Sequence, residues 1–102
     1  MIQKTAFRIV FGDSPIIKII DFLIDNQEFD YDKKELAEET DINSATLDKI
    51  LQEISNLGIL IETNERYKLN LKNQVVRKLI EMDNIVSQQM IEKELENQKA
   101  VV

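Results

Sequence analysis

The sequence predicts a mainly helical α+β fold that combines several short helices, a small β-hairpin and one long C-terminal helix. Apolar residues recur at helical spacing along most of the chain, which indicates amphipathic helices. Two short runs with alternating apolar residues, Ile59–Glu62 and Arg66–Leu69, flank Thr63-Asn64-Glu65 and predict a hairpin. A length of 102 residues and a hydrophobic share of 43% suffice for a single domain with one modest core.

Residues 1–11 admit two interpretations. The apolar positions Ile2, Ala6, Ile9 and Val10 have helical spacing, whereas the run Phe7–Phe11 is equally compatible with a strand. Gly12-Asp13 is expected to end this segment in either case.

A second helix is predicted to begin after Ser14, which caps it, and to end near Asn26. Pro15 fits the first helical position, where its missing N–H costs nothing. Phe29-Asp30-Tyr31 is predicted to form a short strand that joins the hairpin. The apolar face of this helix is so broad that we expect it to lie at the centre of the core, and it comprises Ile16, Ile17, Ile19, Ile20, Leu23 and Ile24.

Residues 32–58 predict two helices joined by a tight turn. Asp32 and Glu35 have the spacing of a capping box, in which each side chain accepts from the other's backbone N–H. The first of these helices is expected to end near Thr40, and Asp41-Ile42 is expected to form the turn.

The next helix is predicted to start after Asn43 as N-cap and to end at Gly58, where a left-handed residue is needed. Its apolar positions are Leu47, Ile50, Leu51, Ile54 and Leu57. Helix, turn, helix and hairpin (residues 59–69) follow one another in the order that places a helix in the major groove of DNA.

A long helix is predicted for residues 73–96, with Asn73 as its cap. Val75, Leu79, Met82 and Val86 have the 4-3-4 spacing of a coiled-coil seam, and we expect them, with Met90, to form a homodimer interface. The other apolar positions of this helix are expected to pack against the first helix. The last residues, Asn97–Val102, carry no pattern and are expected to fray.

Three stretches of the chain resemble a known family. FGDSPIIKIIDFL, KKELAEETDINSATLDKILQEISNLGILIE and RYKLNLKNQVVRKLIEMD look like the archaeal winged helix-turn-helix proteins with MarR- or ArsR-like domains, over roughly residues 10–85. The most specific part, ELAEETDINSATLDKILQEISNLGIL, has Leu-Ala in its first helix, Ile in the turn, Thr in its second helix and Leu-Gly-Ile before the hairpin. The resemblance implies a dimeric protein that binds double-stranded DNA and regulates transcription. Many family members carry Arg or Lys where this chain has Asp48.

A helix that enters the major groove brings its N-terminal turns to the base edges. Ser44 and Thr46 can then donate to phosphates, and Lys49 can contact guanine or a phosphate. Gln52 can bind adenine bidentately, while Asp48 either accepts from cytosine or repels the DNA backbone. The candidate DNA-binding residues are Lys33, Lys34, Asn43, Ser44, Ala45, Thr46, Asp48, Lys49, Gln52, Asn64, Arg66 and Lys68.

These side chains also have a simpler interpretation, as solvated residues on the surface of a core helix and a hairpin. Arg66 and Lys68 share one face of a strand, where they either follow a line of phosphates or are balanced by Glu62 and Glu65.

The distribution of charge favours a different partner. The formal net charge is −6, and residues 29–70 alone contain ten acidic and five basic residues. Nucleic-acid-binding faces are usually basic. The alternative function is therefore a winged-helix module that binds another protein and not DNA.

Enzyme classes are disfavoured by composition. The chain has no His and no Cys, so the usual acid–base and nucleophile–base pairs are missing, and it has no glycine-rich phosphate loop. No cofactor and no metal site is predicted. No apolar run reaches the roughly 20 residues that span a bilayer, so we expect no membrane contact and a cytoplasmic location.

Overall fold

The computed structural model describes residues 4–100, with side chains through Asn97. Within this range the chain forms mainly helices, with one small antiparallel sheet. The elements are α1 (Ala6–Phe11), α2 (Pro15–Asp25), β1 (Tyr31–Asp32), α3 (Lys33–Thr40), α4 (Ser44–Asn56), β2 (Leu60–Thr63), β3 (Arg66–Leu69) and α5 (Gln74–Ala100). Ile2 of the first predicted stripe, and Val101 and Val102 of the segment expected to fray, lie outside the described residues.

The first segment is a helix, so the strand alternative for Phe7–Phe11 is wrong. The Thr5 side chain caps α1 by accepting from the backbone N–H of Arg8. Phe7 is fully buried, and its ring packs against that of Phe11 with a centroid separation of 4.7 Å and a tilt of 44°. Ile9 and Val10 are exposed. A helix of fewer than two turns can bury only one narrow face. In α1 the large Phe7 side chain lies on the buried face, and Ile9 and Val10 lie on the exposed side.

Helix α2 is the central helix of the core, as its broad apolar face predicts. Ser14 caps it and Pro15 occupies the first helical position. Its buried apolar residues, Ile19, Ile20, Leu23 and Ile24, belong to the same cluster as buried residues of every other helix and of the sheet.

Helices α3 and α4 begin at their predicted caps. Glu35 N–H donates to Asp32 Oδ1 at 2.8 Å and Asp32 N–H donates to Glu35 Oε1 at 3.1 Å, which completes the capping box. Thr46 N–H donates to Asn43 Oδ1 at 2.9 Å at the start of α4. Asp41 forms the turn in the left-handed conformation, with a φ of 56°.

Leu57, the last apolar position of the predicted helix, does not join the core. Helix α4 ends at Asn56, and Leu57 at its C-cap is 71% exposed. Gly58 follows with a φ of 79°, as predicted, and this left-handed residue redirects the chain so that Ile59 enters the core in place of Leu57.

The sheet has the strand order β1-β3-β2, and both pairings are antiparallel. Asn64 and Glu65 both have positive φ, as a two-residue hairpin turn between twisted strands requires. The first strand of the hairpin starts at Leu60, one residue later than predicted. Strand β1 contains only Tyr31–Asp32, and it ends at Asp32 because Asp32 also caps α3. Phe29 and Asp30, which were predicted to begin this strand, lie outside it, and Phe29 is exposed.

Helix α5 begins after Asn73, whose Oδ1 accepts from the backbone N–H groups of Val75 and Val76. It runs four residues past its predicted end, to Ala100. Val76 joins the core, and α5 packs along α1, as expected for part of its apolar surface.

Asp32 offers a direct test of the cap. Asp32→Ala removes the acceptor for Glu35 N–H and is expected to lower the free energy of unfolding by about 1 kcal/mol, whereas Asp32→Asn keeps an equally good cap and loses much less. Urea unfolding followed by circular dichroism measures both variants. An equal loss in both would assign the contribution of Asp32 to its charge and not to the cap.

Candidate nucleic-acid interface

The exposed face of α4 carries most of the candidate DNA-binding residues. Leu47, Leu51 and Ile54 are buried on one side of this helix. Since the helix can bury only that side, the opposite side meets solvent along its first two and a half turns. Ser44, Ala45, Asp48, Lys49 and Gln52 are exposed there, while Thr46 is half-buried.

Asn43 has a structural role at the start of this face. Its side-chain oxygen accepts from Thr46 N–H, so that oxygen serves the helix cap. The other backbone N–H groups of the first turn have no partner inside the helix, so they are free to donate to an anion such as a phosphate.

Lys33 and Asp48 form an ion pair between the first turn of α3 and the exposed face of α4. Lys33 Nζ lies 3.0 Å from Asp48 Oδ1, and both side chains are about half exposed. The hydrogen bond and the charge of Asp48 raise the pKa of Lys33. Two residues that the sequence offered as separate DNA contacts therefore neutralise each other across the groove between the helices.

Arg66 is held by three carboxylates that precede the hairpin in the chain. Its Nε donates to Asp30 Oδ1 at 2.7 Å, and Nη2 donates to the Asp30 carbonyl oxygen at 3.1 Å. Its Nη1 lies 3.2 Å from Glu35 Oε1 and 3.9 Å from Asp32 Oδ2. The hydrogen bond to Asp30 is the main cause of the raised pKa of Arg66. The expected balance of Arg66 by Glu62 and Glu65 is wrong, because β3 pairs with β1 and brings Asp30 and Asp32 beside Arg66.

The other three basic residues of this region have no ion-pair partner among residues 4–97. These are Lys34 on α3, Lys49 on α4 and Lys68 on β3. Lys34 and Lys49 are exposed, and Lys68 is half-buried beside its cross-strand neighbour Ile61. Asn64 lies at the exposed hairpin tip.

One residue at this site, Tyr67, was not singled out from the sequence. Tyr67 is buried beneath the hairpin, and burial together with its hydrogen bond to Glu62 raises the pKa of its hydroxyl. Tyr67 and Glu62 line a hollow that also contains Lys33, Asp48 and Gln52. The alternation of β3 predicts that Tyr67 points inward, but nothing in the sequence shows which helix it meets.

The residues predicted for a dimer interface do not all lie on the outer side of α5, because Leu79 packs against the hydrophobic core. Val75 and Met82 are 54% and 40% exposed, while Leu79, Val86 and Met90 are half-buried. Val75, Leu79 and Met82 line an open, almost wholly apolar groove. The exposed Ile9 and Val10 of α1 add further apolar surface.

Within residues 4–100, no helix combines the length and apolarity needed to cross a bilayer, and no group of three acidic side chains is arranged to hold a metal ion. Comparison of the chain with models of protein families, with curated proteins and with solved structures gives no match.

Proposed function

We propose that this protein is a sequence-specific double-stranded DNA-binding protein, a transcriptional regulator of the winged helix-turn-helix type. In this proposal α4 enters the major groove and the β2–β3 hairpin is the wing, which lies along the DNA backbone. The observation that carries it is the exposed face of α4, which starts at an uncovered helix end and presents Lys49 and Gln52 to solvent. The order of α3, turn, α4 and hairpin supports it, as does the resemblance to archaeal winged helix-turn-helix proteins.

A second candidate function is a winged-helix module that binds another protein. The pairing of Lys33 with Asp48 and of Arg66 with three carboxylates favours this candidate, because it leaves few unpaired positive charges near α4. Fluorescence polarisation with a random duplex and with the DNA upstream of the protein's own gene, at two salt concentrations, distinguishes the two. Binding that is tighter to one sequence and weakens with salt supports DNA recognition. No binding at low salt would replace the DNA proposal with the protein-binding one.

The wing is expected to contact DNA through Lys68 more than through Arg66. Lys68→Ala should weaken binding to all sequences and flatten the dependence of log affinity on log salt by about 0.9, the contribution of one phosphate contact. Arg66→Ala should change this slope less, because Asp30 and Glu35 already neutralise the guanidinium. Equal slopes for wild type and Lys68→Ala would remove the hairpin from the interface.

Asp48 is expected to hold the affinity for DNA down. Asp48→Lys changes the charge on the exposed face of α4 by two units and also releases Lys33 from its ion pair. Binding to random duplex should therefore become stronger, most clearly at low salt, where screening is weak. The matched control, Glu92→Lys on an exposed position of α5, makes the same change of charge away from α4.

Two results would revise the role of Asp48. If binding to the target falls while random binding rises, Asp48 reads a cytosine amino group. If Asp48→Lys and Glu92→Lys have equal effects, only the net charge matters and α4 does not face DNA.

The proposed regulator is a homodimer that pairs through the outer side of α5. A two-fold axis at this surface would relate the α4 helices of the two copies. A distance of about 34 Å between these two helices would match one turn of DNA. Met82→Glu puts a charge into the apolar groove and should shift a dimer toward monomer in sedimentation or light scattering. Leu57→Glu is the matched control, since Leu57 is also an exposed apolar residue but lies at the end of α4. A wild-type monomer at high micromolar concentration would contradict the dimer.

A further inference from the structure

The segment from Arg66 to Lys78 differs in charge from the rest of the chain. It contains five basic residues and no acidic residue, whereas the rest of the chain contains eight basic and nineteen acidic residues. Two of its cations are paired, Arg66 with the carboxylates near β1 and Lys78 with Glu81 at 3.3 Å. The other three take part in no ion pair among residues 4–97, and these are Lys68, Lys72 and Arg77.

Hydrogen bonds hold the middle of this segment in one conformation. Asn70 N–H donates to the Ile59 carbonyl at 2.9 Å, and Asn70 Nδ2 donates to the Gly58 carbonyl at 2.9 Å, so the segment is attached to the chain that leaves α4. Asn73 N–H donates in turn to the Asn70 carbonyl at 3.0 Å, which closes a tight turn over residues 70–73. Lys72 lies in this turn and is exposed. The fold therefore fixes the backbone from which the Lys72 side chain projects.

Lys72 and Arg77 lie side by side at the start of α5. Asn73 is the cap of this helix, so Lys72 precedes the cap and Arg77 is the fourth residue of the helix. Side chains at these two positions are neighbours, and an apolar pair is the combination that stabilises a helix start. Here two exposed cations take both positions, and the first turn of α5 contains no acidic residue to balance them. A negatively charged partner would remove the repulsion between them.

This pair of cations lies on a side of α5 that neither the core nor the apolar groove uses. Val76 is buried in the core, and Val75 lines the groove. At about 100° per residue, Arg77 lies about 100° from Val76 and about 200° from Val75 around the helix axis. Lys72 and Arg77 are therefore accessible to a partner even when the groove is covered.

The hydrogen bonds of Asn70 place this pair near the C-terminal end of α4. Helix α4 has 13 residues and is thus about 20 Å long, whereas the major groove of DNA is about 12 Å wide. When the N-terminal turns of α4 meet base edges, its other end reaches the sugar-phosphate backbone that borders the groove. The exposed Gln74, between the two cations, adds an amide donor, and Lys, Arg and Gln are all side chains that contact phosphates.

We propose that Lys72 and Arg77 form a second, sequence-independent contact with DNA, in which both cations bind backbone phosphates beside those reached by Lys68 of the hairpin. DNA carries one negative charge per about 1.7 Å of its axis, so both cations meet phosphates whatever the base sequence. The inference rests on the proposed function for the identity of the partner, but it does not require that α4 reads bases.

Fluorescence polarisation of the full chain with a random duplex at several salt concentrations tests the proposal. In the variant Lys72→Ala/Arg77→Ala, the slope of log affinity against log salt should be smaller by about 1.8, since each phosphate contact contributes about 0.9. Between about 50 and 200 mM salt, this variant should therefore lose about twelvefold less affinity than wild type. The variant Lys72→Arg/Arg77→Lys keeps both charges and should keep the wild-type slope.

The matched control is Lys18→Ala/Lys93→Ala, which removes two positive charges from outside the segment and should change the slope much less. Equal slopes for wild type and Lys72→Ala/Arg77→Ala would overturn the proposal. Equal effects of the two alanine variants would also overturn it, because only net charge would then matter. If wild type binds a labelled oligoglutamate peptide more tightly than the duplex, the partner of this surface is an acidic protein segment and not DNA.

Lys49→Ala/Gln52→Ala separates this inference from the proposed function, because it changes α4 and leaves Lys72 and Arg77 in place. If this variant loses the preference for one duplex sequence while Lys72→Ala/Arg77→Ala keeps the wild-type slope, recognition by α4 stands and the second contact is wrong. If Lys72→Ala/Arg77→Ala lowers the slope but wild type prefers no sequence, the second contact stands and the proposed regulator is wrong. Absence of any binding at low salt contradicts both.

Discussion

Burial of one aliphatic core determines which surfaces this protein presents to a partner. Leu47, Leu51 and Ile54 of α4 are almost completely buried, against a core centred on α2. Each such side chain contributes about 1.5–3 kcal/mol by leaving water, so a rotation of α4 that exposes all three is prohibitively costly. The helix therefore has one allowed orientation about its axis. In that orientation Asp48, Lys49 and Gln52 have no core position to occupy, and they form the outer face.

The charges near this face follow from the same constraint. Since α3 and α4 are both anchored in the core, Lys33 at the start of α3 comes within 3.0 Å of Asp48. Exposed ion pairs are weak, because water screens them and two long side chains lose freedom. Lys33 can therefore exchange Asp48 for a phosphate at little cost, but the exchange leaves Asp48 unpaired beside a polyanion. In the proposed complex with DNA, the ion pair would therefore limit the affinity without preventing the approach of DNA.

The sequence predicted the features that depend on neighbouring residues. Helix caps at Ser14, Asp32 and Asn43, the turn at Asp41 and the left-handed Gly58 all lie where local stereochemistry placed them. These motifs involve residues within three or four positions of one another, so a single sequence contains the whole interaction.

The features that were missed involve contacts between distant parts of the chain. Arg66 and Asp30 are 36 positions apart, and only the pairing of β1 with β3 makes them neighbours. Glu62 and Glu65, which the surface interpretation offered as partners of Arg66, are near it in sequence, but Arg66 pairs with Asp30, Asp32 and Glu35 instead. The ion pair between Lys33 and Asp48 could likewise not be predicted from the sequence. The periodicity of α4 identifies its outer face, but it does not show that Lys33 lies across that face.

Helix α5 connects the core with an outer apolar surface. Val76 and Ile80 pack into the core from one side of the helix, while Val75 and Met82 line the apolar groove on the other side. A helix is stiff over this distance, so a displacement of its inner face moves its outer face as well. If the dimer forms there, the spacing of two α4 helices depends on how firmly α5 is held.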